Sequence, residues 1–356
     1  MITLSNLLNR KTNEIPLFML GVLVFTITTI PTAAAQGALP RPQLIPTPGE
    51  ASTTAYSPKA ILPGGVVLTL YPPTSPRLNQ ERVTEAEVYT MSARVPGRVN
   101  HIVNIHNPSI EFHPAGGNNT GTTIILIAGG GHKRLIVGPE ACDPIAFFYN
   151  FGVNCVILRN RLRADGYIAE EDAVNDTLQA IRLVRSKAKP WKLDPDKIGV
   201  MGFSAGAELA SSAALFYDKF DSGNSHSNTS LSAVSSRPDF VALIYPGPTP
   251  FSRTPDLQFP MNTPPSFIAS ASYGDARHTL WANDYYIAML KRKVPNIEMH
   301  LYGNGWHGGA LSDRGGIPFG TWQYRFVDWF RDLGFLQKAG QKTKAASDIK
   351  KSISTE

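Results

Sequence analysis

A serine between two glycines is the strongest sign of chemistry in this sequence. Gly202-Phe203-Ser204-Ala205-Gly206 follows a short apolar run, 198–201, and precedes a stretch of helix-forming residues that begins at Ala207. A very tight strand-to-helix turn needs glycines around the serine, because side chains there would collide with the strand and the helix. The pattern predicts that Ser204 is a nucleophile facing the free N–H groups of a helix start. A strand–turn–helix corner with an incidental serine is the alternative.

A serine hydroxyl is a weak nucleophile until a base takes its proton. The chain has eight histidines, and His307 is the predicted base because it lies in a glycine-rich loop between the last predicted strand and the closing helix. The other histidines considered lie in edge strands, a polar loop or a strand interior: His101, His106, His113, His226 and His300. His307 as an ordinary loop histidine is the alternative.

A third residue should orient the histidine. In the chain order serine, acid, histidine, the acid follows the preceding strand, and Asp275 lies on the turn after the predicted strand 267–271. There it would hold the imidazole in the tautomer that accepts the serine proton. Asp284 is the second candidate, although it falls inside the following helix, and Asp256 in a proline-rich loop is the third.

Three consecutive glycines, Gly129 to Gly131, follow a buried apolar run. Such a loop lets the backbone approach a substrate closely and turns N–H groups toward a developing oxyanion, where each donor is typically worth ~3 kcal/mol of barrier. We expect the donors to be the N–H groups of Gly130, Gly131 and Ala205. A plain glycine-rich turn or a phosphate loop is the alternative, but the loop lacks the G-x-G-x-x-G and G-K-[ST] patterns.

The elements that must position these residues alternate between strands and helices. Continuous apolar runs predict strands buried on both faces, and apolar residues at spacings of three and four predict a helix over 171–188. The predicted strands are 122–128, 154–158, 198–201, 241–245, 267–271 and 297–302, and a closing helix ends at Gly334. This order predicts an α/β fold with a doubly wound, mostly parallel sheet. The runs 101–105 and 109–113 predict an antiparallel edge at its N-terminal side.

The two ends of the chain differ from its middle in composition. Residues 1–35 have the order of a secretory signal peptide, positive, apolar and then Ala-rich, with an uncleaved membrane anchor as the alternative. Residues 36–63 are rich in proline, threonine and serine and predict a linker. The catalytic domain is then expected at 64–338, with a polar, basic tail at 339–356, and either reading of the N-terminus places the folded part outside the cell.

Charge and cysteine content exclude some functions. The net charge of +6 comes mostly from the two ends of the chain, so no basic stripe indicates nucleic-acid binding. Cys142 is expected at a helix start and Cys155 on the next strand, too far apart for a disulfide, so both are predicted to be unpaired. Three Asn-x-Ser/Thr motifs are glycosylation acceptors if the host is a eukaryote: Asn118, Asn175 and Asn228.

From about residue 99 to 336, the chain resembles the α/β-hydrolase esterases of the acetylxylan-esterase and bacterial feruloyl-esterase-like (BD-FAE) group. The stretches that carry the resemblance are 103–108, 129–131, 161–167, 198–210, 236–246 and 306–308. Two places depart from the family pattern. The glycine loop has Ala128 and His132 where relatives usually have proline and an aromatic residue, and the acid loop reads Tyr-Gly-Asp275 where relatives often show Asp-Asp.

This resemblance implies a serine esterase with a Ser-His-Asp acyl-enzyme mechanism that needs no metal or other cofactor. Its substrates would be small esters or acylated carbohydrates, and no partner nucleic acid and no stable membrane insertion after signal cleavage are expected. The alternatives are a serine peptidase of the prolyl-oligopeptidase type and a hydrolase-fold binding protein without activity. Only about twenty proline-rich residues separate two predicted strands over the sheet edge, so we expect a minimal cap and a small acyl pocket.

Overall fold

Apolar runs and amphipathic stretches form the strands and helices that their periodicities predict. The computed structural model describes residues 54–223, 231–311 and 316–354. The predicted signal peptide, linker residues 36–53 and the Asn228 motif lie outside the described residues. Within them, no helix is long and apolar enough to cross a bilayer.

Eight of the ten strands in the described residues form one sheet, in the order β1-β4-β6-β5-β7-β8-β9-β10. The strands are Val66–Thr69 (β1), Val88–Met91 (β2), Val99–Val103 (β3), Ser109–His113 (β4), Thr123–Ile127 (β5), Asn154–Arg159 (β6), Ile198–Phe203 (β7), Val241–Ile244 (β8), Ser266–Tyr273 (β9) and Glu298–Asn304 (β10). From β6 to β10 all neighbours are parallel, whereas β4 runs antiparallel to β1 and β6. The predicted doubly wound, mostly parallel sheet is confirmed.

Helices cover both faces of this sheet, because each central strand is apolar on both sides. Along β5, Ile125 and Ile127 join one apolar cluster with α2, α4 and α6, while Ile124 and Leu126 join another with α1 and α7. This alternation follows from the two-residue period of a strand. The helices are Asp143–Tyr149 (α1), Val174–Ser186 (α2), Ala188–Trp191 (α3), Ala205–Gly223 (α4), Pro250–Arg253 (α5), Ala276–Lys291 (α6), Trp322–Leu333 (α7) and Lys344–Ser354 (α8).

The antiparallel edge differs from the one expected from the sequence. The two runs 101–105 and 109–113 do not pair with each other: β3 pairs with β2 in a separate two-stranded sheet, and β4 pairs with β1. Asn104 adopts a positive φ of 62°, and the chain continues through a buried corner at His106 and Asn107 rather than through a tight hairpin. The edge position beside β4 is therefore taken by β1, a four-residue strand too short to stand out in the sequence.

The folded domain extends beyond both of its predicted ends. In the predicted linker, Ile61 is buried, and the backbone N–H groups of Ile61 and Leu62 donate to the carboxylate of Glu111 at 2.7 and 2.9 Å. In the predicted polar tail, α8 buries Ala345 and Ile349, and Ala345 is part of the apolar core. Residues 54–63 and 344–354 are therefore packed parts of the domain, and the boundaries at 64 and 338 are corrected to include them.

The two cysteines match their prediction. Cys142 and Cys155 are both buried and unpaired. Burial raises the pKa of both thiols well above the usual value, so neither is a reactive thiolate near neutral pH.

Candidate active site

Ser204 lies on the turn that joins β7 to α4. Its φ is 53°, a left-handed conformation that is unusual for a residue other than glycine. The flanking glycines are needed there, because a Cβ at Gly202 would lie 2.2 Å from the carbonyl oxygen of Gly206. A Cβ at Gly206 would lie 2.1 Å from the carbonyl oxygen of Ile127 on the neighbouring strand. The steric role predicted for both glycines is thus present, and strain of this kind is typical of functional turns.

The structure brings Ser204, His307 and Asp275 together at the carboxyl edge of the sheet. Ser204 Oγ lies 2.8 Å from His307 Nε2, and His307 Nδ1 lies 3.0 Å from Asp275 Oδ2. The three residues follow β7, β10 and β9, whose parallel directions place their carboxyl ends side by side. If Nδ1 carries the ring proton and donates it to Asp275, Nε2 is free to accept the proton of the serine hydroxyl.

The other two acid candidates do not reach the histidine. Asp284 is an exposed residue of α6 whose Oδ2 accepts a hydrogen bond from Ser252 at 3.0 Å. Asp256 is exposed in the segment between α5 and β9. Of the three carboxylates considered from the sequence, Asp275 is the one in contact with His307.

Asp275 also contacts a second histidine that sequence reasoning did not assign. His278, one turn further along α6, lies with Nδ1 2.5 Å from Asp275 Oδ1, so the two carboxylate oxygens each face one imidazole. The His278 and His307 rings stack with centroids 3.6 Å apart. Burial favours the neutral acid at Asp275, but hydrogen bonds from His278 and His307 outweigh it and hold the pKa of this carboxyl below its usual value. Asp275 is therefore a carboxylate at neutral pH.

These three residues also form the one candidate metal cluster in the part of the chain that the structure describes. Asp275, His278 and His307 offer ligand atoms within 4.8 Å of one another. The same Nδ1 atoms face the carboxylate oxygens in hydrogen bonds. A metal ion bound here would replace the contacts that orient His307.

The glycine loop after β5 leaves two of its N–H groups unused. The carbonyl groups of Gly129 and Gly130 accept hydrogen bonds from Ile136 and Lys133, and the Gly129 N–H donates to Glu140. The N–H groups of Gly130 and Gly131 donate to no acceptor within the described residues, and neither does that of Ala205 at the start of α4. The predicted oxyanion donors are therefore free to bind a ligand.

A buried network connects the glycine loop to the histidine loop. Glu140 Oε1 accepts a hydrogen bond from the Tyr245 hydroxyl at 2.9 Å, and the same hydroxyl accepts one from the Ala310 N–H at 2.9 Å. Sequence reasoning missed both Glu140 and Tyr245. A glutamate embedded in the apolar stretch 135–148 was the available signal for the first, since such a residue is seldom buried without a purpose.

The wall of the site near α4 is built from charged groups. Glu208 of α4 accepts a hydrogen bond from Arg253 of α5 at 2.8 Å. His132, where the glycine loop ends, is buried with Nε2 3.4 Å from the same carboxylate. These contacts link the glycine loop, the serine helix and the segment between β8 and β9.

Part of this chain is similar in sequence to known proteins. Residues 112–255 match the BD-FAE family model. The chain is 24% identical over 244 residues to an acetylxylan esterase of Xylanibacter ruminicola, covering 61% of this chain and 45% of the relative. It is 26% identical over 212 residues to endo-1,4-beta-xylanase B of Butyrivibrio fibrisolvens, covering 52% of this chain and 32% of the relative. The chain thus spans less than half the length of these curated relatives.

Among solved structures, an acetyl ester-xyloside bifunctional hydrolase from Caldicellulosiruptor lactoaceticus superposes with a TM-score of 0.60 at 24% identity. The match covers 78% of this chain and 99% of that one. The strand order and this structural likeness show that the chain has the α/β-hydrolase fold. The match to the BD-FAE family model and the similarity to the acetylxylan esterase agree with the resemblance seen in the sequence.

Proposed function

We propose that this chain is a serine carboxylic ester hydrolase that removes small acyl groups, of the acetyl type, from bulky alcohols such as polysaccharides. The observation that carries the proposal is the contact series from Ser204 Oγ through His307 to Asp275, at 2.8 and 3.0 Å. Neighbouring unpaired N–H groups support it, since acyl transfer needs donors for an oxyanion. The name of the acetylxylan esterase relative supports the choice of substrate.

The mechanism follows from these contacts. Ser204 Oγ attacks the ester carbonyl carbon while its proton moves to His307 Nε2. The carbonyl oxygen becomes an oxyanion that the N–H groups of Gly130, Gly131 and Ala205 would stabilise. The C–O bond to the alcohol then breaks, and the alcohol leaves with the proton from His307. Water repeats the sequence on the acyl-enzyme, releasing the carboxylic acid and restoring the Ser204 hydroxyl.

The place of action is a further part of the proposal. A secreted protein is expected because residues 1–35 have the charge and apolar order of a signal peptide. An acetylated polysaccharide substrate is consistent with action outside the cell, since such polymers do not cross membranes.

Replacement of the nucleophile tests the proposed function. Ser204→Ala should abolish hydrolysis of p-nitrophenyl acetate with folding unchanged, because the half-buried hydroxyl contacts His307 rather than the apolar core. His307→Ala should lose nearly as much, since such residues act as a unit. Initial rates and circular dichroism of the purified mature chain measure both effects. A folded Ser204→Ala variant that keeps more than a few per cent (~5%) of the activity would refute the mechanism.

The same assay separates the alternatives. A prolyl-oligopeptidase-type peptidase would cleave proline-containing p-nitroanilides at least as well as acetyl esters. A binding protein without activity would hydrolyse neither, and its wild-type and Ser204→Ala forms would be indistinguishable.

A further inference from the structure

A carboxyl group without a cationic partner lies beneath the glycine loop. Glu140 is 3% exposed and belongs to a π-helical turn, Gly138–Cys142, just before α1. No lysine or arginine among the described residues compensates it, and burial raises its pKa to about 7 against the opposing effects of the Gly129 N–H, the Tyr245 hydroxyl and His307. A buried carboxyl of this kind lowers stability unless its hydrogen bonds are satisfied. The role of Glu140 therefore follows from the groups that hydrogen-bond to its carboxyl.

One carboxyl oxygen of Glu140 fixes the first amide of the glycine loop. Glu140 Oε2 accepts the Gly129 N–H at 2.6 Å. Because Gly129 and Gly130 also turn their carbonyl groups toward Ile136 and Lys133, the next two peptide groups keep their N–H groups unpaired. A Cβ at Gly129 would lie 2.7 Å from Ser204 Cβ, so Gly129 packs directly against the serine. Glu140 thereby determines how the loop faces Ser204.

The other carboxyl oxygen extends to the histidine loop. Glu140 Oε1 accepts from the Tyr245 hydroxyl, which accepts from the Ala310 N–H. The Ala310 carbonyl accepts the indole N–H of Trp322 at 2.9 Å, which ties the same residue to α7. The Tyr245 ring meets the His307 ring edge to face, with centroids 5.0 Å apart. The chain of contacts thus ends on the loop that carries the predicted base.

We propose that Glu140 and Tyr245 are positioning residues that hold the oxyanion loop and the histidine loop in register with Ser204. Glu140 acts through the Gly129 amide, and Tyr245 acts through Ala310 and the face of His307. Neither touches the substrate. This inference rests on the proposed esterase function and names residues of that same site.

Such residues matter because the oxyanion donors and the base must be correctly positioned at the same time. Removing one oxyanion donor typically costs ~100-fold or more in kcat, and a misplacement of about 1 Å is enough to lose a large part of the rate. Tyr245 is suited to such a role because it is fully buried and held at a φ of 39° just beyond β8. Strained backbone of this kind persists only where the surrounding contacts determine it.

Two conservative variants test the inference. Glu140→Gln keeps the side-chain volume but replaces one acceptor oxygen with an NH2 donor, so the side chain can no longer accept from both the Gly129 N–H and the Tyr245 hydroxyl. Tyr245→Phe keeps the ring against His307 and removes only the hydroxyl between Glu140 and Ala310. For each variant we expect kcat for p-nitrophenyl acetate to fall about tenfold or more, while KM stays within about twofold, because the orientation of the reacting groups is lost and substrate access is kept. The double variant should lose about as much as either single variant, since both break one network.

A matched control separates positioning from general stability. Tyr285→Phe also removes a buried hydroxyl, which pairs with Ser266 Oγ at 3.0 Å near the opposite end of β9. It should lower the melting temperature and leave kcat unchanged. Equal losses of kcat in Tyr285→Phe and Tyr245→Phe would overturn the inference, as would wild-type kcat in folded Glu140→Gln and Tyr245→Phe. If Glu140→Gln fails to fold, the comparison of the two tyrosine variants decides.

Covalent labelling of Ser204 by a fluorophosphonate distinguishes this inference from the proposed function. The reagent needs the nucleophile, the base and the oxyanion donors but no ester turnover. The labelling rate should fall with kcat in both positioning variants and stay constant in Tyr285→Phe. A wild-type chain that is labelled but hydrolyses no ester would refute the esterase proposal alone, and the labelling rates would still decide the roles of Glu140 and Tyr245. A wild-type chain that is not labelled would overturn both.

Discussion

Among single residues, Asp275 is the carboxylate that contacts the histidine next to Ser204. Its two oxygens face two imidazoles that stack on each other, and it is nearly buried, with 6% exposed. Hydrogen bonds from both histidines keep it ionised despite that burial. Because the charge is fixed in place, it is suited to stabilise the imidazolium that the proposed mechanism forms at His307.

Asp275→Asn should therefore reduce turnover strongly. An amide presents a donor to His307 Nδ1, which favours the tautomer with a proton on Nε2, and that tautomer cannot accept from Ser204. A histidine held in the wrong tautomer typically lowers kcat by ~10⁴-fold. Steady-state rates with p-nitrophenyl acetate measure it.

Asp284→Asn is the control for this substitution. Asp284 is exposed and contacts Ser252 rather than either histidine, so its rates should equal those of the wild type. If Asp284→Asn were inactive and Asp275→Asn active, the acid would have been assigned to the wrong residue.

The residues of the site could be predicted from sequence to different degrees. Ser204, Asp275 and His307 each follow a strand with a recognisable apolar run, so their meeting at one edge of the sheet was predictable. His278, Glu140 and Tyr245 were not assigned, because their roles come from contacts between distant segments. Glu140 and Tyr245 are 105 positions apart in the chain and meet only through the fold.

At the scale of elements, the C-terminal helix α8 was the least expected. The lysines of residues 338–351 predicted a polar tail, but Ala345 and Ile349 lie one turn apart and are buried together. Asp194 accepts a hydrogen bond from the Gly340 N–H at 2.8 Å, which fixes the approach to the helix. The charged residues occupy the other face, so composition alone concealed an amphipathic pattern.

Ile349→Ala should lower the free energy of unfolding by about 2 kcal/mol, because it removes buried apolar atoms and leaves a cavity. Ile349 is 8% exposed. Ile353→Ala, one turn later in the same helix, is the matched control, since that side chain is 44% exposed and should change stability little. Urea unfolding of both variants gives the comparison. Equal free energies of unfolding for the two variants would show that burial of Ile349 in α8 does not stabilise the fold.

The pairing of the antiparallel edge strands is a second feature that the sequence did not predict. Buried central strands such as β5 and β7 have continuous apolar runs and were located within a residue or two. The edge strands β1 and β2 have four residues each and mixed burial, so their pairing depends on partners that local sequence does not reveal. The antiparallel edge and the central sheet were therefore predicted, but the strand that pairs with β4 was not.

At the scale of the whole molecule, the segment between β8 and β9 limits what can cover the site. It contains only one helical turn, α5, which is too short to form a lid. Arg253 of α5 donates a hydrogen bond to Glu208 of the serine helix, and Phe251 of α5 is buried. The segment is thus fixed against the serine helix as a short wall of the site.

This architecture predicts the preference for acyl length. With a fixed short wall, and with no lid in the described part of the chain, each added methylene gains none of the ~0.8 kcal/mol that full apolar burial would supply, and longer chains meet the wall. We expect kcat/KM for p-nitrophenyl esters to be highest for acetyl or propionyl and to fall steeply by octanoyl. We also expect a bulky alcohol to be tolerated, because the α5 segment is too short to enclose the substrate, so acetylated oligosaccharides should release acetate in the same preparation. Rising kcat/KM toward octanoyl, or activation at an oil–water interface, would instead require an apolar channel or a moving lid and would contradict this account of the site.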